Sequence, residues 1–209
     1  MITPPADTDS KSAAKGLRAE DRLIVALDVP TPDDARVLIR ALGPSVHIYK
    51  IGLELLFAGG TTLIDELATT GKHIFIDAKL LDIGNTVEKA VANIARLGVT
   101  FLTVHGVDRK TLDAAVRGRG ASGLKLLAIT VLTSLDASDV REQGIAMTPE
   151  DLVLRRAGIA AQSGIDGIVA SGHEAQRIRH KFPDVIIVTP GIRHEGTALN
   201  DQARVMTPG

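Results

Sequence analysis

Asp77, Lys79 and Asp82 place a carboxylate, an ammonium and a second carboxylate within six residues, where an apolar run ends. The run before them, His73-Ile74-Phe75-Ile76, alternates with period 2, so Phe75, Asp77 and Lys79 share one face and Ile74, Ile76 and Ala78 the other. Two charged side chains on one face at the carboxyl end of a buried strand are costly unless paired. The order carboxylate, ammonium, carboxylate points to a lysine kept cationic between two anions. Taken alone, an Asp-x-Lys-x-x-Asp string is ordinarily a surface ion-pair cluster. Its position after an alternating buried strand keeps the chemical reading open beside that one.

The elements that must position these residues recur along the chain. Short apolar runs occupy Leu23–Leu27, Val46–Ile51, His73–Ala78, Thr100–His105, Lys125–Val131, Gly167–Ala170 and Val185–Val188. Helix-like stretches lie between them at Pro32–Leu42, Thr61–Thr70, Thr86–Leu97, Lys110–Arg117, Pro149–Gln162 and Glu174–Lys181. Thr31-Pro32 and Thr148-Pro149 are helix start signals, and Gly43, Gly71, Gly98 and Gly164 are stop signals. The alternation predicts an α/β protein with a parallel sheet. Polar residues gather where the strands end: Asp28, Lys50, Asp77 with Lys79, His105, Thr133 with Ser134, Ser171, and Gly191 to Arg193. Chemistry spread over many strand ends predicts a (β/α)8 TIM barrel, whereas a doubly wound sheet would concentrate it at one switch point. Each residue also has a plainer reading: Lys50 as a snorkelling strand-end lysine, Asp28 as a turn former before Pro30, His105 as a histidine bonded to backbone, Thr133 and Ser134 as turn caps, Arg193 as a solvated side chain.

The chain has 209 residues, a formal net charge of -1 and 44% hydrophobic residues, which suits one domain with a sizeable core. Residues 1–20 read as a polar tail and 21–209 as a single barrel domain. With four Phe, one Tyr and no Trp, the core must be aliphatic, as parallel strands covered by helices require. The near-neutral balance gives no electrostatic reason to expect nucleic acid or an anionic membrane as partner. No run approaches the roughly 18 apolar residues of a membrane span. The absence of Cys excludes disulfides and thiolate metal sites and suits the cytoplasm. No carboxylate or His pair has zinc spacing, and there is neither a Walker loop nor a strand-borne G-x-G-x-x-G.

Taken together, the segments Val25-Ala26-Leu27-Asp28, Tyr49-Lys50-Ile51-Gly52, Phe75 to Thr86, Thr103-Val104-His105-Gly106, Thr130 to Ser134, Val188 to Arg193 and Asn200 to Pro208 resemble the bacterial orotidine 5'-monophosphate decarboxylase family. The likeness runs from about residue 22 to the end of the chain. Gly84 stands where many members carry Pro, with little effect expected. The resemblance implies decarboxylation of orotidine 5'-monophosphate to uridine 5'-monophosphate without metal or cofactor, by a homodimer with shared sites. Lys79 would supply the proton that replaces carbon dioxide at C6, and Asp77 would sit against the substrate carboxylate. Lys50 would bridge Asp77 and the ribose hydroxyls, and Asp28 would bind ribose. Asp82, with Thr86 nearby, would reach into the partner's site. Thr133 or Ser134 would contact the pyrimidine, and Arg193 and Gln202 would serve the phosphate side. Leu135–Ile145 and His194–Asp201 are the lid candidates.

Two other readings stand beside this one. Sugar-phosphate decarboxylases and aldolases of the same superfamily share an Asp-x-Lys-x-x-Asp string but use Mg²⁺, and they resemble one another in a Glu at the end of the second strand, where this chain has Lys50. The other reading is an inactive fragment. Members of the family continue past the Met206-Thr207-Pro208 segment with an eighth strand and helix, so about 25–35 residues of a usual barrel of about 250 are expected to be lacking here.

Overall fold

The structure, a computed structural model, describes residues 22–192. Strands β1 (Ile24–Ala26), β2 (Ile48–Gly52), β3 (His73–Leu80), β4 (Phe101–His105), β5 (Lys125–Ile129), β6 (Gly167–Val169) and β7 (Ile186–Val188) match the seven expected runs. They form one sheet in chain order β1-β2-β3-β4-β5-β6-β7, and every neighbouring pair is parallel. Sequential parallel order with no reversal is the arrangement of a (β/α)8 barrel rather than of a doubly wound sheet. The seven strands supply seven of its units. Among the described residues β1 pairs only with β2, and β7 only with β6.

The helices are α1 (Pro32–Leu42), α2 (Leu53–Leu55), α3 (Thr62–Thr69), α4 (Gly84–Ala95), α5 (Arg109–Arg119), α6 (Ala137–Glu142), α7 (Pro149–Gln162) and α8 (Gly172–Lys181). Thr31 caps α1 by accepting from the Asp34 amide at 3.2 Å, and Thr148 caps α7 by accepting from the Asp151 amide at 3.1 Å. In both, proline at the first helical position donates no hydrogen bond and so leaves none unmade. The core lies between sheet and helices. Tyr49, Ile51, Ile74, Ile76, Leu102, Val104, Leu126 and Ile168 point outward from the strands and pack with Leu63, Val87, Val91 and Leu112 from the helices. On the opposite face Phe75 meets Phe101 edge to face at 6.0 Å between ring centroids. Among the described residues no helix is long and apolar enough to cross a membrane.

Two departures from the expected elements have local causes. Helix α6 falls inside the first lid candidate. It is only six residues long and buries a single apolar side chain, Val140, so it carries no hydrophobic period to read. It is held instead by reciprocal bonds between Asp136 and Asp139, a capping box with Asp in place of the usual Glu or Gln. After β2 the chain makes α2 and one wide helical turn over Leu56–Gly60, broken where Gly59 adopts φ 92°. The second lid candidate and the N-terminal tail lie outside the described residues.

Helix α4 starts the segment that carries Thr86. Its first residue is Gly84, and the preceding Ile83 has φ -59° and ψ 143°, the backbone that a following proline demands. A β-carbon at Gly84 would meet Ala114 at an ordinary 3.6 Å. Gly84→Pro should therefore restrict the unfolded chain without straining the fold and stabilise it by about 0.5–1 kcal/mol. Thermal unfolding should show a rise of about 1–4 °C; a fall would contradict this placement of the helix start.

Candidate active site

The end of β3 departs from a regular ladder. Phe75 pairs with Phe101 and Ile76 with Leu102, but the next register pair is Leu80 with Val104. Four steps on β3 thus match two on β4, so two extra residues bulge out of the ladder. Lys79 absorbs the bulge at φ 47°, and it is the only non-glycine with positive φ among the described residues. That conformation costs a side-chain-bearing residue roughly 1–2 kcal/mol. Asp77 and Lys79 both line the cavity, as the alternation predicts, though by a bulge instead of a plain strand.

Four charges form a row across three strand ends. Lys79 Nζ donates to Asp77 Oδ2 at 2.8 Å. Lys50 Nζ lies 3.6 Å from the same oxygen and donates to Asp28 Oδ1 at 3.1 Å. Asp77 is the buried member, its side chain 13% exposed, whereas that of Asp28 is 66% exposed. A carboxylate so placed needs partners on both oxygens. The second oxygen, Oδ1, accepts from the Thr103 hydroxyl at 2.9 Å.

The row opens on a cavity of about 960 Å³ that Thr133 and Ser134 also line. Asp28, Lys50, Asp77, Lys79, Thr133 and Ser134 are therefore brought together. Asp82 and Thr86 are not: Asp82 is exposed on the connection into α4 and Thr86 is exposed in the first turn of α4, both outside the cavity lining, and Asp82 Oδ1 accepts from the Ile83 amide at 2.6 Å. Arg193 and Gln202 lie outside the described residues. Sequence reasoning misses Thr103. The signal for it is its place in phase with Phe101 and His105, a hydroxyl at 0% exposure in an otherwise apolar strand beside β3.

A family model described as the orotidine 5'-phosphate decarboxylase / HUMPS family matches residues 21–209. The chain belongs to this family. It is 53% identical over 189 residues to the orotidine 5'-phosphate decarboxylase of Rhodopseudomonas palustris (strain BisB5), covering 90% of this chain and 80% of that protein. To the protein of the same name from Methylorubrum extorquens (strain PA1) it is 54% identical over 190 residues, covering 90% and 81%. The crystal structure of orotidine 5'-phosphate decarboxylase from Lactobacillus acidophilus superposes with a TM-score of 0.76 at 36% identity, covering 82% of this chain and 81% of that one. In this chain the carboxyl-terminal half of β2 carries Lys50.

His105 closes β4 and is half-buried. Burial holds its pKa below the usual 6.5, helped by the nearby Arg156 and Lys79 cations and opposed by Asp77. The unfolded chain therefore binds more protons on His105 than the folded one does. Stability rises with pH through this window and falls as pH drops below 6.5. His105→Gln should shrink the loss of melting temperature between about pH 7.5 and 5.5 relative to the unsubstituted chain. An equal loss in both chains would show that His105 does not titrate differently on folding.

Proposed function

We propose that this chain decarboxylates orotidine 5'-monophosphate to uridine 5'-monophosphate, with Lys79 as the proton donor. The observation that carries the reading is the Lys79 ammonium held 2.8 Å from a buried Asp77 carboxylate at the mouth of a strand-end cavity. Loss of carbon dioxide breaks the bond from C6 to the carboxyl carbon and leaves the electron pair on C6, a ring carbon with no electron sink. An ammonium beside C6 stabilises that pair electrostatically and then gives up a proton to it; water restores the ammonium. Substrate and proton balance the reaction, so no redox partner enters it.

The remaining roles follow the same geometry. Asp77 orients Lys79 and faces the departing carboxylate. Lys50, between Asp28 and Asp77, reaches the ribose hydroxyls, with Asp28 beside it. Thr133 and Ser134, which line the same cavity, hold the pyrimidine, and the family resemblance gives Arg193 and Gln202, outside the described residues, the phosphate side. A phosphate far from C6 supplies binding energy that orders the site. The Mg²⁺-dependent sugar-phosphate chemistry is disfavoured by Lys50: an ammonium occupies the strand end where that chemistry uses a carboxylate. Relatives at 50–54% identity that carry the decarboxylase name support the same choice.

We extend the proposal to a cytoplasmic homodimer in which Asp82 and Thr86 complete the partner's site. Their exposure supports this, as do the flanking Leu81 and Ile83, 53% and 73% exposed.

The test is the ultraviolet change on adding orotidine 5'-monophosphate with EDTA present. It is run on this chain and on the chain carrying the C-terminal segment of its Rhodopseudomonas relative. Turnover is expected, and Lys79→Ala should lower it by at least about 10⁴-fold with the melting temperature preserved. Turnover that survives Lys79→Ala, or that needs added Mg²⁺, would overturn the assignment. Lys79→Ala and Asp82→Ala chains, each inactive alone, should regain activity when mixed and allowed to exchange subunits, because one site of a mixed dimer draws unaltered residues from both. No recovery after proven exchange would count against the shared site.

A further inference from the structure

Thr103 lies on β4 between Leu102, which pairs with Ile76, and Val104, which pairs with Leu80. It therefore faces the two extra residues of the β3 bulge. In a regular parallel ladder the amide of Lys79 would find a main-chain carbonyl on β4. In the bulge it donates instead to Thr103 Oγ1 at 2.9 Å. The same hydroxyl donates to Asp77 Oδ1 at 2.9 Å. A hydroxyl has one proton and two lone pairs, and here the proton goes to the carboxylate while a lone pair receives the lysine's amide. Thr103 is fully buried, so water has no access to replace either bond.

We infer that the Thr103 hydroxyl is a positioning residue for proton delivery, tying the Asp77 carboxylate and the Lys79 backbone into one rigid unit. This rests on the reading of Lys79 as proton donor. By engaging Oδ1, the hydroxyl fixes the rotation of the carboxylate and leaves Oδ2 to face both ammonium groups. By accepting from the Lys79 amide, it holds the left-handed backbone from which that side chain enters the cavity. The hydroxyl touches no reacting atom. Its effect is geometric and falls on the chemical step more than on substrate binding.

The experiment compares Thr103→Val, which keeps the shape and removes the hydroxyl, with Thr103→Ser, which keeps the hydroxyl. Steady-state kinetics with orotidine 5'-monophosphate should show kcat lower by about 10–100-fold in the Val chain, with KM within about threefold. The Ser chain should return to within about fivefold of the unsubstituted kcat. A Val chain with undiminished kcat, or a Ser chain as impaired as the Val chain at equal melting temperature, would overturn the inference. Crystal structures of the Val chain give a readout that does not depend on turnover. Lys79 should leave the left-handed region or part from Asp77. Retention of φ near 47° and of the 2.8 Å contact would overturn the inference even if the unsubstituted chain proved inactive, an outcome that by itself would sink the proposed function instead. Should the Val chain not fold, Thr103→Cys, a weak donor and acceptor of similar size, decides on the same terms.

Discussion

The site depends on the pairing of one buried carboxylate. Asp77 sits nearly out of water, and each of its oxygens has a partner: Lys79 and Lys50 on one, Thr103 on the other. Losing the Thr103 hydroxyl leaves Oδ1 short of a bond where water is scarce, which costs more than the bond itself contributes, whereas losing one lysine still leaves the other facing Oδ2. The constraint runs outward from there. β2 must run beside β3 so that Lys50, in register with Phe75, reaches forward to the carboxylate, β4 must put a hydroxyl behind it, and β1 must end close enough for Asp28 to hold the far side of Lys50.

Sequential parallel order makes these demands compatible. Each strand enters the sheet in the same direction, so all carboxyl ends meet at one rim, and the helices cover the outer face with aliphatic side chains. The outward face carries most of the packing, while the inward face buries Phe75 and Ile129 against the cavity and turns charged and hydroxyl groups to the rim. A bulge at the end of β3 fits this division. It disturbs the ladder beyond Ile76, leaving the paired, buried part of the strand intact.

Most of this organisation was legible in the chain. The seven strands fall on the seven apolar runs because a strand covered on one face by helices must alternate or run apolar, and Thr31-Pro32 and Thr148-Pro149 mark helix starts to the residue. Asp28, Lys50, Asp77 and Lys79 could be grouped because a charge in phase with buried strand residues is costly unless opposite charges meet it there. What could not be read is non-periodic. Helix α6 rests on a capping box and one buried valine. The left-handed Lys79 has no local signature, since lysine is not a residue that favours positive φ; it is imposed by the register of β4. Thr103 passes for an ordinary β-branched strand residue until its neighbour is known.

The row Asp28, Lys50, Asp77, Lys79 alternates in sign and sums to zero. An alternating, neutral row has no monopole, and its field fades with distance much faster than that of a lone lysine. Seen from bulk solvent, these four residues exert almost no pull on a passing anion. Seen from within bonding distance, they present a sharp mosaic in which a shift of a few ångströms exchanges attraction for repulsion. The tetrad therefore works as a sorter and not as a magnet. It leaves the capture of anions to other parts of the molecule and judges only what has already arrived, by where each charge comes to rest.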